Sequence, residues 1–184
     1  MRRAPWLIGL VAVGLAALVA APASTTTVVR FDVEKMSAIA AVIAVGEVQG
    51  VDMRWNGAHT KIYTRVTFTP TEVIKGGRDL GPLTIKMIGG KVGEDVARLP
   101  GTPELVQGER VLVFLEPRED GDGYLIVGLF QGLYRLRKGA PGDDLLYQDL
   151  TPPDATMIEE GSRHPATEML TLEDVRAIVR GGAR

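Results

Sequence analysis

The sequence predicts a mainly β fold, a small barrel or sandwich, with a short helix near its start and another at its end. Three observations carry that reading. Short apolar segments recur at fairly even spacing between residues 25 and 148, separated by turns that contain glycine or proline. Strand–helix–strand alternation is missing, which sets aside a doubly wound nucleotide-binding sheet. Apolar residues at helical spacing occur in residues 32–41 and 171–180.

The first 23 residues stand apart from this pattern. Arg2 and Arg3 precede an uninterrupted apolar run over residues 6–20, and Ala21-Pro22-Ala23 places small residues before Ser24. That order of charge, apolar run and small residues is the arrangement of a secretory signal peptide. The run is short for a bilayer core, which takes about 20 residues, and no basic cluster follows it. The expectation is cleavage after Ala23, a secreted or periplasmic protein, and no membrane association after cleavage. The chain then divides into a signal peptide (1–23), a β domain (24–150) and a proline-containing connector with a C-terminal helix (151–184).

The elements follow in order. Residues 25–31 are β-branched and read as a first strand. In residues 32–41 Asp32 is a candidate N-cap, Glu34 favours the first turn, and Val33, Met36 and Ala40 share a face. Residues 42–49 form a buried strand that ends with Glu47 and Gln49 on one side, and Gly46 within it predicts a bulge or a close backbone approach. Residues 52–60 carry the turn signal Asn56-Gly57 and read as an exposed hairpin loop. Residues 61–74 alternate as a long strand, with Pro70 demanding an edge or a bend. Residues 82–88 are a further strand, and Gly89, Gly90 and Gly93 a permissive loop. Residues 94–107 read as mostly irregular. Residues 110–116 are apolar on both faces and form the strongest strand signal. Residues 119–123 make a hairpin turn to a returning strand at 124–129, followed by strands at 132–137 and 145–148. Residues 151–170 read as a poorly ordered or surface-hugging connector. Thr171 with Asp174 resembles a capping box for the last helix.

Composition narrows the function classes. Of 184 residues 45% are apolar, an ordinary globular balance that can bury a core unaided. The formal charge is -2, and loss of Arg2 and Arg3 would take it to -4. A nucleic-acid binder needs a basic stripe instead, so no nucleic-acid partner is expected. There is no cysteine. This excludes disulfides, thiolate nucleophiles, cysteine-ligated zinc, iron–sulfur clusters and a lipid-anchored cysteine.

The succession Val42-Ile-Ala-Val-Gly-Glu-Val48, Glu72-Val-Ile-Lys-Gly76, Gly89-Gly90 with Gly93, and Gly108-Glu-Arg-Val-Leu-Val-Phe-Leu115 resembles an uncharacterised family of exported bacterial β-barrel domains. More distantly it is similar to the netrin-like domain of tissue inhibitors of metalloproteinases. The resemblance covers about residues 40–132. It implies an OB-like, closed or partly open β-barrel. Those inhibitors use an N-terminal cysteine on the target's zinc, and this chain has none, so that mechanism is not implied.

No catalytic, cofactor or metal site emerges, and no cofactor is expected. His59 and His164, the two histidines, lie far apart and in no ligand spacing. Ser24, Ser37 and Ser162 lie in no nucleophile motif. Asp120-Gly121-Asp122-Gly123 begins like a calcium loop, but Tyr124 and Gln131 occupy positions that loop reserves for ligands, so it reads as a tight turn. The loop around Gly90 and Lys91 could cradle an anion through backbone N–H groups but lacks P-loop spacing. Trp55, between Arg54 and Asn56, is the residue most like an interface anchor; its other reading is a lid folded over one barrel end. Arg54, Trp55, Asn56, Gly90 and Lys91 are therefore the candidate partner-binding residues. The expected function is an exported, non-enzymatic module that binds a protein partner, a secreted protease among the candidates. The alternatives are a netrin-like protease inhibitor that inserts a loop or its N-terminal segment into a cleft, and a hydrolase with an unrecognised carboxylate site.

Overall fold

A computed structural model describes residues 26–78, 80–138, 144–148, 155–158 and 170–182. The signal segment, Ser24, Pro152, Pro153, Ser162 and His164 lie outside the described residues. The order is β1 (Thr26–Val29), α1 (Val33–Ile39), β2 (Val42–Trp55), β3 (Ile62–Lys75), β4 (Leu83–Ile88), β5 (Gly90–Val92), β6 (Asp95–Ala97), β7 (Arg110–Pro117), β8 (Tyr124–Ile126), β9 (Leu133–Lys138), β10 (Asp144–Tyr147), β11 (Ala155–Ile158), β12 (Leu170–Thr171) and α2 (Leu172–Gly181).

Five strands close on themselves. β7 pairs with β2, β2 with β3, β3 with β4, β4 with β8, and β8 returns to β7. Every contact in this ring is antiparallel except β4–β8, where Ile85 faces Tyr124 in parallel. The result is the small OB-like barrel with a helix toward each end of the chain. The far edge of β7 is shared: β8 takes residues 115–117 and β9 takes residues 111–113. β10 and β12 extend the sheet beyond β9.

The double-sided apolar character of β2 and β7 has a direct cause: two cores share these strands. Alternate residues Val42, Ala44, Val48, Val111, Val113 and Leu115 fill the barrel with Val66, Phe68 and Ile85. The intervening Ile43, Val45, Leu112 and Phe114 face outward, where Met36 of α1 and Val175 of α2 cover them. Each large side chain so buried contributes on the order of 1.5–3 kcal/mol. α2 is also pinned at its rim, where Arg176 grips Glu72 of β3 through two 2.8 Å bonds.

Several local expectations hold. Asp32 caps α1 by accepting from the Lys35 amide at 2.7 Å, and Thr171 with Asp174 forms the capping box of α2. Gly46 sits at a register shift opposite Pro70. Pro70 lies beyond the β4 pairing, so it breaks no ladder on that side.

Other expectations are corrected. Residues 52–55 are strand, and the loop shrinks to residues 56–61, because Tyr63 and Ile62 continue the ladder opposite Arg54 and Trp55. Gly90 and Lys91 lie in β5, which pairs with β6 inside the segment read as irregular. The strand from Tyr124 ends at Ile126, and Leu129 adopts φ 64° in the turn that follows. The connector holds β11, paired in parallel with β1.

The aspartate turn fastens the parallel β4–β8 closure. Asp122 accepts from Lys86 of β4 at 2.7 Å and from Arg65 of β3 at 2.9 Å. These cations, Lys86 first, hold its carboxyl below the ordinary carboxylate value. Stability from a depressed carboxyl is present above the unfolded value and lost as pH falls through the folded one. The wild-type urea midpoint should therefore fall as pH drops below about 4, and Asp122→Asn should flatten that decline. An equal acid slope in both proteins would remove Asp122 from the account.

Candidate functional site: an apolar cleft at the end of the barrel

The site begins with an overlong hairpin. β7 accompanies β2 only as far as Glu47, and the Val48 carbonyl then accepts from Gly108 at 2.8 Å. Beyond this point residues 50–55 continue with β3 alone on one side. Strand alternation separates their side chains. Val51 and Met53 line a cleft, whereas Asp52 and Arg54 are exposed and paired with each other, Arg54 Nε donating at 2.6 Å. The Asn56 carboxamide closes the tip by accepting from Thr60 N at 2.8 Å and Lys61 N at 3.2 Å.

One wall of the cleft is the β5–β6 ribbon. It turns over the sheet where Gly89 N donates to Ile62 O at 2.9 Å and Thr64 Oγ1 donates to Gly89 O at 2.8 Å. Gly90 has φ 136°, and a Cβ there would stand 2.8 Å from Thr64 Oγ1, so the crossing requires glycine. The Lys91 amide then points at the Met53 sulfur, 3.2 Å away. The other wall is formed by residues 98–106. Arg135 anchors this wall by donating to Glu104 O at 2.8 Å and to the Glu109 carboxylate at 2.5 Å.

Together these walls enclose about 760 Å³. Five of the nine large apolar side chains that stand exposed among the described residues line it: Met53, Ile88, Val96, Leu99 and Val106. That concentration makes it a site, because scattered exposed apolar residues need no explanation and a contiguous patch does. Val96 and Val106 are 56% and 66% exposed. Lys91 and Arg98 stand on the rim without an ion pair to another described residue.

The candidate residues thus fall into two groups. Gly90 and Lys91 belong to the cleft wall. Arg54, Trp55 and Asn56 form the adjoining hairpin tip. Trp55 is half-buried, and its ring stacks on His59 of the same turn, centroids 5.8 Å apart and planes 20° apart. Sequence reasoning missed Val96, Leu99 and Val106. Their signal was present as apolar residues in a stretch assigned no strand to bury them.

Asp120 is held by Arg118 and Asp122 by Lys86 and Arg65, which accounts for both carboxylates of the aspartate turn. Among the described residues no three His, Asp or Glu side chains gather in a metal-binding cluster. Ser37 Oγ is buried without a partner, on α1 and outside the cleft lining. No helix among them is long and apolar enough to cross a membrane. Compared with known proteins, the chain matches no family model and no curated protein.

Proposed function

We propose that this chain is an exported, non-enzymatic binding module of netrin-like type, and that it holds a protein partner in the apolar cleft at the end of its barrel. The concentration of exposed apolar side chains in that one cleft carries the reading. Apolar concave surfaces of this size suit a partner's protruding side chains, and central apolar contacts supply most of the affinity in such interfaces. The signal-like first 23 residues support a partner in the periplasm or outside the cell.

The test is capture of envelope and secreted proteins from the producing cell with the exported chain as bait, followed by measurement of the affinity of any stoichiometric partner. Leu99→Asp with Val106→Asp should weaken it by at least about tenfold, because burying an unpaired carboxylate removes one or more kcal/mol. Trp55→Ala should weaken it less. Unchanged binding by the double variant would discard the cleft. A captured protease that loses activity in proportion to added bait would identify the partner class as a protease.

A further inference from the structure

We propose that two copies of this chain associate edge to edge through residues 50–55 of β2, making one antiparallel sheet across two barrels. This goes beyond the cleft reading and does not depend on it. Two observations carry it. No described strand pairs with the outer edge of β2 past Val48, so the outward N–H and C=O groups of residues 50–55 form an open template. The side chains along that edge are also self-complementary.

In an antiparallel pair about a twofold axis, residues facing each other lie on the same face of the sheet. With Met53 opposite the partner copy's Met53, Asp52 faces Arg54 and Arg54 faces Asp52. On the other face Val51 meets Trp55. Both charges are exposed in the single chain and bonded only to each other, so pairing exchanges the two pairs within the separate chains for two equivalent pairs between them. The two β5–β6 ribbons, which cross above Met53, face each other across the axis.

The same pattern rejects the neighbouring registers. A slip by one residue sets charged positions against apolar ones. A slip of the pairing by two sets Asp52 against Asp52 or Arg54 against Arg54, and like charges directly opposite are unfavourable. One alignment remains.

Sedimentation of the purified protein over a concentration series from micromolar upward tests this. The wild type is expected to shift from one chain mass to two. Asp52→Arg alone and Arg54→Asp alone each place like charges opposite one another, and each should weaken association by at least about tenfold. An equimolar mixture of these two variants restores opposite charges and should pair as the wild type does. The combined Asp52→Arg, Arg54→Asp protein should pair with itself. Both substituted residues are on the surface, and unchanged thermal melting would show intact folding. A wild type that stays single throughout, single variants that associate as tightly as the wild type, or a mixture that fails to recover would each overturn the proposal.

Discussion

Replacing Gly46 by alanine is expected to lower the stability of this protein by about 3 kcal/mol, at the upper end of overpacking costs. An added Cβ would overlap the Thr69 carbonyl oxygen and lie 2.6 Å from Phe68 Cζ. The carbonyl belongs to the backbone of β3, directly across the ladder, and cannot rotate away. The phenyl ring is fully buried in the barrel and has nowhere to go. Shortening the ring alone should therefore rescue little: Gly46→Ala with Phe68→Leu relieves one of the two conflicts. Gly50→Ala is the matched comparison. It lies in the same strand with no atom within 4 Å of its added Cβ, so its change should stay within about 0.5 kcal/mol. Urea unfolding of the variants measures the difference. Equal midpoints for Gly46→Ala and Gly50→Ala would show that β2 and β3 separate there at little cost.

Truncation of Phe114 to alanine should cost on the order of 3–5 kcal/mol, through the outer core. Phe114 is fully buried on the outward face of β7, with the Tyr134 ring centroid 6.0 Å away. The cavity would open beneath the layer to which Met36 of α1 and Val175 of α2 belong. Hydrogen exchange should report this selectively: α2 amides should lose protection before those of β4, which pairs with neither β2 nor β7. Uniform loss of protection would mean that the helices and barrel unfold as one unit.

The fold was legible wherever one local rule decided the outcome. The Asp32 cap, the Thr171 capping box, the Gly46 bulge and the double-sided apolar run of β7 each follow from backbone hydrogen bonding or from burial. The site was less legible because its parts are assembled across the chain. Asp52, Arg54 and the Asn56-Gly57 turn look like a loop by composition, yet Val51, Met53 and Trp55 alternate with the charges at strand period. The ladder opposite them extends that strand to its tip. Leu99 and Val106 stand among prolines and glycines, where no periodicity says which surface they meet. Only the crossing of β5 over Met53 turns them into the walls of one cleft.

The Gln131 side chain has a consequence for the order in which this protein can be made. Its carboxamide accepts from Phe31 N at 2.7 Å and donates to Val29 O at 2.9 Å, joining positions about a hundred residues apart. Gln148 in turn holds the Gln131 carbonyl. These bonds to Val29 and Phe31 thus form only once the trailing third of the chain has been made. Synthesis runs from the N-terminus, so this latch closes only after the last barrel strand has been made. The ring itself, with its long-range pairings, shares the same timing.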